Sequence, residues 1–253
     1  MKIAVAGGSG TVGRYVVDSV TKAGHEAVVL SRASGYDLVS GDGLADALVG
    51  VEVIIDVSNP STTNRAKASS FFTSVTKNLH ASGSRARVQR LVSLSIVGID
   101  NFPFGYYQAK LAQEEAVFNG PLSANVVRAT QFYEFPAQIL HLTRRGPLAL
   151  MPMMRIQPIA ARAVGQALCD AALSAPSQRT TQIAGPREES LVAMARTILR
   201  ERGSRAIVIP IHVPGGAGKL MRGGGQLPLG DVTLVGPAFV DWLLTPDANF
   251  PAL

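Results

Sequence analysis

Apolar positions along the chain alternate between short continuous runs and stripes of helical spacing. Lys2 to Ala6 reads as a buried strand, and Val12, Tyr15, Val16, Val17 and Val20 then recur with helical period. After the Gly24-His25 turn, Ala27 to Leu30 predicts a second strand. Asp37 to Asp42 predicts a short third strand and turn, Leu44 to Val49 a short helix, and Val51 to Val57 a further strand. Arg65 to His80 predicts a helix with Phe71, Phe72, Val75 and Leu79 turned inward. Arg90 to Leu94 then reads as the fifth strand, Tyr106 to Phe118 as a helix and Asn125 to Arg128 as the sixth strand. Strand followed by helix, repeated, predicts an α/β fold with a doubly wound parallel sheet and right-handed crossovers.

Towards the C-terminus, Ala160 to Leu173 and Ser190 to Arg202 predict amphipathic helices, the first after Pro158 and the second ending at Gly203. Ala206 to Val213 reads as a strand. Pro214-Gly215-Gly216 and Gly223-Gly224-Gly225 flank a short basic helix with Lys219 and Arg222. No linker or low-complexity stretch interrupts the chain. One domain over 1–253 is expected, with a core over about 1–135 and a small C-terminal substrate-binding region over about 136–253.

Glycines follow the first strand at once. Gly8, Gly10 and Gly13 satisfy G-x-G-x-x-G, and Gly7, Gly10 and Gly13 give G-x-x-G-x-x-G. Strand, glycine turn and helix is the context that a Rossmann-type dinucleotide fingerprint requires. One glycine allows the tight turn, one lets backbone approach a pyrophosphate, and one lets helix pack closely on strand. The phosphates would lie at the helix N-terminus, where free N–H groups and the helix dipole favour an anion. Gly7, Gly8, Ser9, Gly10, Thr11, Val12 and Gly13 are therefore candidate cofactor contacts.

The second strand ends in Ser31-Arg32, where such a fold often carries an acid for the adenosine ribose. Here the acid is absent and an arginine is adjacent. A planar guanidinium can hold a 2′-phosphate that an acid would repel, so NADP(H) is favoured over NAD(H). Arg32 as an ordinary surface residue is the competing reading. Ser58-Asn59-Pro60 leaves the strand Val51 to Val57 at its C-terminal end and should face the cofactor. Thr130 or Gln131, after the sixth strand, should meet the nicotinamide carboxamide. Asp42 is the candidate for the adenine edge.

Composition narrows the class. Hydrophobic residues are 47% and charged residues 17% of 253, and no apolar run approaches the length of a membrane span. The early glycines argue against a signal peptide, and a single Cys169 in apolar helical surroundings reads as an inert core thiol. A cytoplasmic protein is expected. The net charge of +6 is scattered, with its densest group at Arg196, Arg200, Arg202 and Arg205, and no aromatic platform accompanies it. A solvated helix face explains that group, and no nucleic-acid partner is expected. His25, His80, His141 and His212 lack metal-ligand spacing, so no metal is expected. No G-x-S-x-G elbow appears.

Tyr106 and Lys110 lie four apart and share one helix face. A phenol ionises near pH ~10, and a nearby ammonium lowers that value. Beside a nicotinamide, the pair could pass a proton to a carbonyl oxygen while hydride reaches carbon, and Lys110 could bond the ribose. An ordinary amphipathic helix gives the same spacing. Met151, Met153 and Met154 could line an apolar substrate pocket, with core packing as the alternative.

The glycine turn, Leu91-Val92-Ser93-Leu94-Ser95-Ile96-Val97-Gly98, Tyr106 to Glu115 and Val127 to Phe132 together resemble the atypical short-chain dehydrogenases/reductases of the NmrA-like NAD(P)-binding branch. Gln157 to Ala161 and Ile183 to Pro186 also resemble that group. The resemblance implies a Rossmann core that binds NADP(H) and a variable C-terminal region shaping the substrate pocket. Some members reduce quinones or other enones, and others sense the dinucleotide without evident turnover. The active pattern carries a Ser-Ser or Ser-Thr pair at the end of the fifth strand, and its second slot falls on Ile96. Ser95 is the nearest hydroxyl, with Ser93 one pleat deeper. Expected chemistry is hydride transfer to a small apolar quinone, enone or carbonyl, with Tyr106, Lys110 and Ser95 as catalytic candidates. The alternative is an NADP(H)-binding redox sensor. The helix Ala109 to Phe118 is a candidate homodimer face.

Overall fold

A computed structural model describes residues 1–102, 105–175 and 178–248. In chain order the elements begin β1 (Lys2–Ala6), α1 (Gly13–Lys22), β2 (Glu26–Leu30), α2 (Leu44–Ala47) and β3 (Val53–Asp56). α3 (Arg65–Arg85), β4 (Arg90–Ile96), α4 (Gly105–Asn119) and β5 (Ser123–Ala129) follow. Then come α5 (Phe135–Thr143), β6 (Leu148–Pro152), β7 (Arg155–Ile156), α6 (Ala161–Leu173) and β8 (Thr180–Ala184). The chain continues through β9 (Glu189–Ser190), α7 (Leu191–Glu201), β10 (Ile207–Ile211), α8 (Gly215–Gly223), β11 (Thr233–Leu234) and α9 (Phe239–Trp242).

The central sheet is seven-stranded and all-parallel, in the order β11-β8-β5-β4-β3-β1-β2. Strand order reverses between β1 and β3. The crevice beyond the C-terminal ends of those two strands is where a doubly wound sheet binds ligands. Ile3 to Ala6 of β1 and all four residues of β3 are buried, as strands covered on both faces require.

The chain divides into two compact units, Met1–Ala129 with Ala161–Gln182, and Thr130–Ala160 with Ile183–Leu253. In the first unit, α6 packs on α1 through Gly165, where a Cβ would stand 2.7 Å from the Cβ of Tyr15. Arg162 adds an ion pair to Asp18 at 2.8 Å and lays its guanidinium over the Tyr15 ring. Cys169 is fully buried on α6, and burial pushes its thiol pKa up. In the second unit β6 pairs in parallel with β10, and β7 antiparallel with β9. Tyr133 packs its ring against Phe239 and Trp242 and donates its hydroxyl to the Pro237 carbonyl at 2.7 Å. Met151 and Met154 are buried in the core, and Met153 is partly exposed. Arg196, Arg200, Arg202 and Arg205 are exposed on and after α7, and His212 is exposed after β10. No helix among the described residues is long and apolar enough to cross a membrane.

Two expectations change. Asp37 to Asp42 is a turn, not a strand. The Asp37 carboxylate accepts the Val39 N–H at 2.8 Å, and Gly41 N–H donates to the Asp37 carbonyl at 3.0 Å. Asn78 of α3 donates to the carbonyls of Leu38 and Val39 at 3.1 and 2.8 Å. Those bonds satisfy groups that a ladder would otherwise take. The strands expected fifth and sixth are consequently the fourth and fifth along the chain. The helix α3 runs five residues past His80, because Ser82 and Gly83 continue its buried face. It starts from Asn64, whose side chain accepts the Lys67 N–H at 3.1 Å.

Candidate functional site

The glycine turn sits at the C-terminal end of β1, at the switch point. Gly7 has φ +81°, and a Cβ there would stand 2.8 Å from the Ser58 Cα beyond β3. Gly10 N–H donates to the Gly7 carbonyl at 2.9 Å, closing the turn. At Gly13 a Cβ would fall 2.1 Å from the Gly7 carbonyl oxygen and 2.6 Å from the Gly8 Cα. The start of α1 therefore lies directly on the turn. Val12 precedes the helix without a side-chain cap, and the N–H groups of Ser9, Thr11, Val12 and Gly13 have no backbone acceptor among the described residues. Ser9, Gly10 and Thr11 are exposed there, whereas Gly8, Val12 and Gly13 are buried. A row of donors at a helix N-terminus, with backbone brought close by glycine, is a fit for a pyrophosphate.

At the end of β2, Ser31 is buried with its hydroxyl 3.1 Å from that of Ser34. Arg32 is exposed and opens a single 3₁₀ turn, Arg32–Ser34. Asp42 is exposed, and its N–H donates to the Ser40 hydroxyl at 3.3 Å. Beside this turn an open groove of about 470 Å³ is lined by Val39, Ala66, Lys67, Ser70 and Phe71.

Tyr106 and Lys110 both project from α4, but each hydrogen-bonds other partners and no bond joins them. The Tyr106 phenol donates to Asn59 Oδ1 at 2.5 Å, which joins α4 to the loop after β3. Lys110 is buried, with Nζ 2.7 Å from the Leu94 carbonyl and 2.5 Å from Gln113 Oε1. The ammonium also stands 4.6 Å from the Phe72 ring centroid. The expected lowering of the phenol pKa by Lys110 is therefore corrected. Burial pushes Tyr106 upward, with Tyr107 adding to the shift, so the phenol stays protonated. Burial also pulls Lys110 down to about 8, against the opposing pull of Asp56 and Glu114.

Ser95 is buried on β4, paired in register with Arg128 of β5, and its hydroxyl has no partner among the described residues. Such a group is a candidate for a ligand contact. Ile96 occupies the next position, half-buried. Thr130 belongs to the second unit. Its N–H donates to the Ile183 carbonyl at 3.2 Å, and its buried hydroxyl likewise has no partner among the described residues.

Two residues of this cluster escape the sequence reading. Asp56 ends β3 fully buried, its carboxylate accepting from Gln113 Nε2 at 2.9 Å and from the Ser58 N–H at 2.9 Å. Burial raises its pKa, opposed by those bonds and by Lys110. The available signal was an acid inside the apolar run Val53 to Val57, and a glutamine one helical turn after Lys110. Glycine turn, Ser58, Asn59 and Tyr106 form a continuous set in the first unit, with Asp56, Gln113 and Lys110 behind them.

No protein-family model matches the sequence, and no curated protein matches it by sequence. Among solved structures, the UDP-N-acetylglucosamine 4-epimerase of Bacillus cereus superposes with a TM-score of 0.68 at 17% identity, covering 95% of this chain and 93% of its own. A short-chain dehydrogenase/reductase superfamily protein from Agrobacterium tumefaciens with bound NAD gives 0.65 at 19%, covering 85% and 86%. An NADPH-dependent quinone oxidoreductase from Escherichia coli, complexed with NADPH, gives 0.64 at 16%, covering 88% and 87%. The chain has the fold of the short-chain dehydrogenases/reductases.

Proposed function

We propose that this chain is an NAD(P)H-dependent oxidoreductase that passes hydride to a small apolar acceptor, with quinones and enones preferred over simple carbonyls and NADP(H) over NAD(H). The observation that carries this reading is the juxtaposition at the β1/β3 switch point. There the glycine turn abuts Ser58, and the neighbouring Asn59 holds Tyr106. Similar folds solved with NADPH and with NAD support a nicotinamide dinucleotide. Bound there, the dinucleotide would supply the hydride. Backbone N–H groups of the turn would hold its pyrophosphate and Arg32 its 2′-phosphate. The groove beside Val39 and Phe71 would take the adenosine end.

The acceptor preference follows from the proton. Tyr106 is a protonated donor whose hydroxyl is already given to Asn59, and the Lys110 ammonium is bonded elsewhere. A phenol that holds its proton tightly is a hydrogen-bond donor to an acceptor oxygen and a poor general acid. A quinone or enone spreads the incoming charge and takes its proton later from water, so it depends least on such an acid.

The test is NADPH consumption with a panel of quinones, enones and aldehydes, in wild type and Tyr106→Phe. Quinone turnover that falls less than about tenfold in the variant, with aldehydes slow in both, is the expected result. Turnover abolished by the substitution would make Tyr106 the acid and overturn the acceptor preference. The competing reading is a dinucleotide sensor, favoured by Ile96 and by the different hydrogen-bond partners of Lys110 and Tyr106. Tight NADPH binding with no acceptor consumed would establish it.

A further inference from the structure

Asp56, Gln113 and Lys110 form a chain of buried polar side chains in the first unit. Asp56 and Gln113 are each 1% exposed, and Lys110 is 5% exposed. A lysine ammonium only donates and an ionised carboxylate only accepts. The Gln113 amide between them is therefore forced into one orientation, oxygen to Lys110 and nitrogen to Asp56. The other Asp56 oxygen takes the Ser58 N–H, at the root of the loop that carries Asn59. The ammonium's remaining neighbours are the Leu94 carbonyl and the Phe72 face. Without the amide, a buried cation and a buried anion would draw together, because neither has water to screen it.

We infer that Gln113 is a positioning residue: by bridging Asp56 to Lys110 it keeps the ammonium on the Leu94 carbonyl of β4 and prevents it from closing onto Asp56 at β3. The inference rests on the proposed dinucleotide site and on the expectation that the ammonium proton left over by Leu94 and Gln113 bonds the ribose there. It assigns Gln113 a role in cofactor affinity exerted entirely through Lys110. Geometry makes the requirement narrow. An acid at 113 accepts from Lys110 but opposes Asp56, and an apolar residue serves neither. The titratable groups facing the bridge are Asp56 from β3, Lys110 and Glu114 from α4, and His80 from α3. Glu114 is itself held by Arg128.

The experiment uses Gln113→Leu and Gln113→Glu in the full chain. NADPH is titrated by fluorescence, and lysine Nζ resonances are recorded with ¹⁵N-lysine label without dinucleotide. Loss of a signal in Lys110→Arg assigns it to Lys110. In wild type the Lys110 ammonium should exchange slowly with water, and in Gln113→Leu it should exchange fast. NADPH binding in Gln113→Leu should fall about tenfold, the scale of one charge-assisted hydrogen bond. Gln113→Glu should bind weakly near about pH 8 and return to within about twofold of wild type near about pH 6, because two buried carboxyls facing each other share one proton well above their ordinary range. There a protonated carboxyl repeats the amide's pattern, accepting from Lys110 and donating to Asp56. That recovery is a readout a merely space-filling role would not move, and it decides the matter if Gln113→Leu does not fold. An unchanged ammonium signal with unchanged binding in Gln113→Leu, or an equal deficit at both pH values in Gln113→Glu, overturns the inference. Failure of wild type to bind NADPH or NADH defeats the cofactor reading, and the ammonium signal still decides the positioning.

Discussion

One methyl group added at Gly13 separates two demands that the glycine turn combines. The Cβ of Gly13→Ala would fall 2.1 Å from the Gly7 carbonyl oxygen and 2.6 Å from the Gly8 Cα, against an ordinary contact of 3.4 Å or more. Both opposing atoms are backbone, so no side chain can swing aside, and the helix must lift off the strand by more than about 1 Å. Overpacking of this kind costs about 1–3 kcal/mol, and a rigid obstacle places Gly13 at the upper end. At about 2–4 °C per kcal/mol for a domain of this size, Gly13→Ala should melt about 6–12 °C below wild type. Gly10 is the control within the same turn. Its added Cβ meets only the Gly7 carbonyl, at 3.2 Å, so a shift of a few tenths of an ångström suffices. Alanine also narrows the unfolded ensemble, by about 0.4–1 kcal/mol in the protein's favour. Gly10→Ala should therefore melt within about 3 °C of wild type. On the proposed reading its methyl would stand where the phosphate approaches the backbone, and NADPH affinity should fall at least about tenfold. Thermal unfolding followed by circular dichroism, with NADPH titration of both variants, checks the pair. A Gly13→Ala protein as stable as wild type, or a Gly10→Ala protein with undiminished affinity, would refute the assignment of close packing to one glycine and phosphate approach to the other.

Two further outcomes follow from buried charge. His80 lies between α3 and the end of α4, Nε2 3.1 Å from the Val117 carbonyl, and burial pulls its pKa below the usual value. Its folded pKa is depressed, so its stabilising contribution is complete above about pH 6.5 and is lost as pH falls below that. The difference in urea stability between wild type and His80→Gln should shrink from about pH 7 to about pH 5; a constant difference would remove His80 as the cause. Arg128 grips Glu114 with two bonds, at 2.9 and 2.6 Å, and reaches the exposed Asp100. Arg128→Met strands the buried Glu114 carboxylate and should cost about 2–4 kcal/mol in denaturant titration, whereas Asp100→Asn should cost about 1 kcal/mol or less.

What was readable from the chain, and what was not, divides along the range of the interactions concerned. The glycine turn is legible because its pattern is local: strand, turn and helix are contiguous, and Gly10 and Gly13 answer contacts within the turn, although Gly7 answers Ser58 beyond β3. The Asp37 to Asp42 segment misleads because its apolar Leu38 and Val39 imitate a strand. The groups that hold it as a turn are Asp37 itself and Asn78, forty residues on. Tyr106 and Lys110 mislead in a related way. A four-residue spacing places two side chains on one helix face, but it does not decide which neighbours each will find. Those neighbours arrive from elsewhere: Asn59 from the loop after β3, Leu94 from β4 and Phe72 from α3. Lys110 is the more buried of the two, so its ammonium must be fully engaged wherever acceptors lie, and the nearest are the strand carbonyl and the Gln113 amide. Tyr106, half-buried, donates instead to Asn59. The same spacing with a small apolar residue in place of Gln113 would leave Lys110 one acceptor short and Asp56 within its reach. Three residues along the helix thus decide what the Tyr-Lys pair can do.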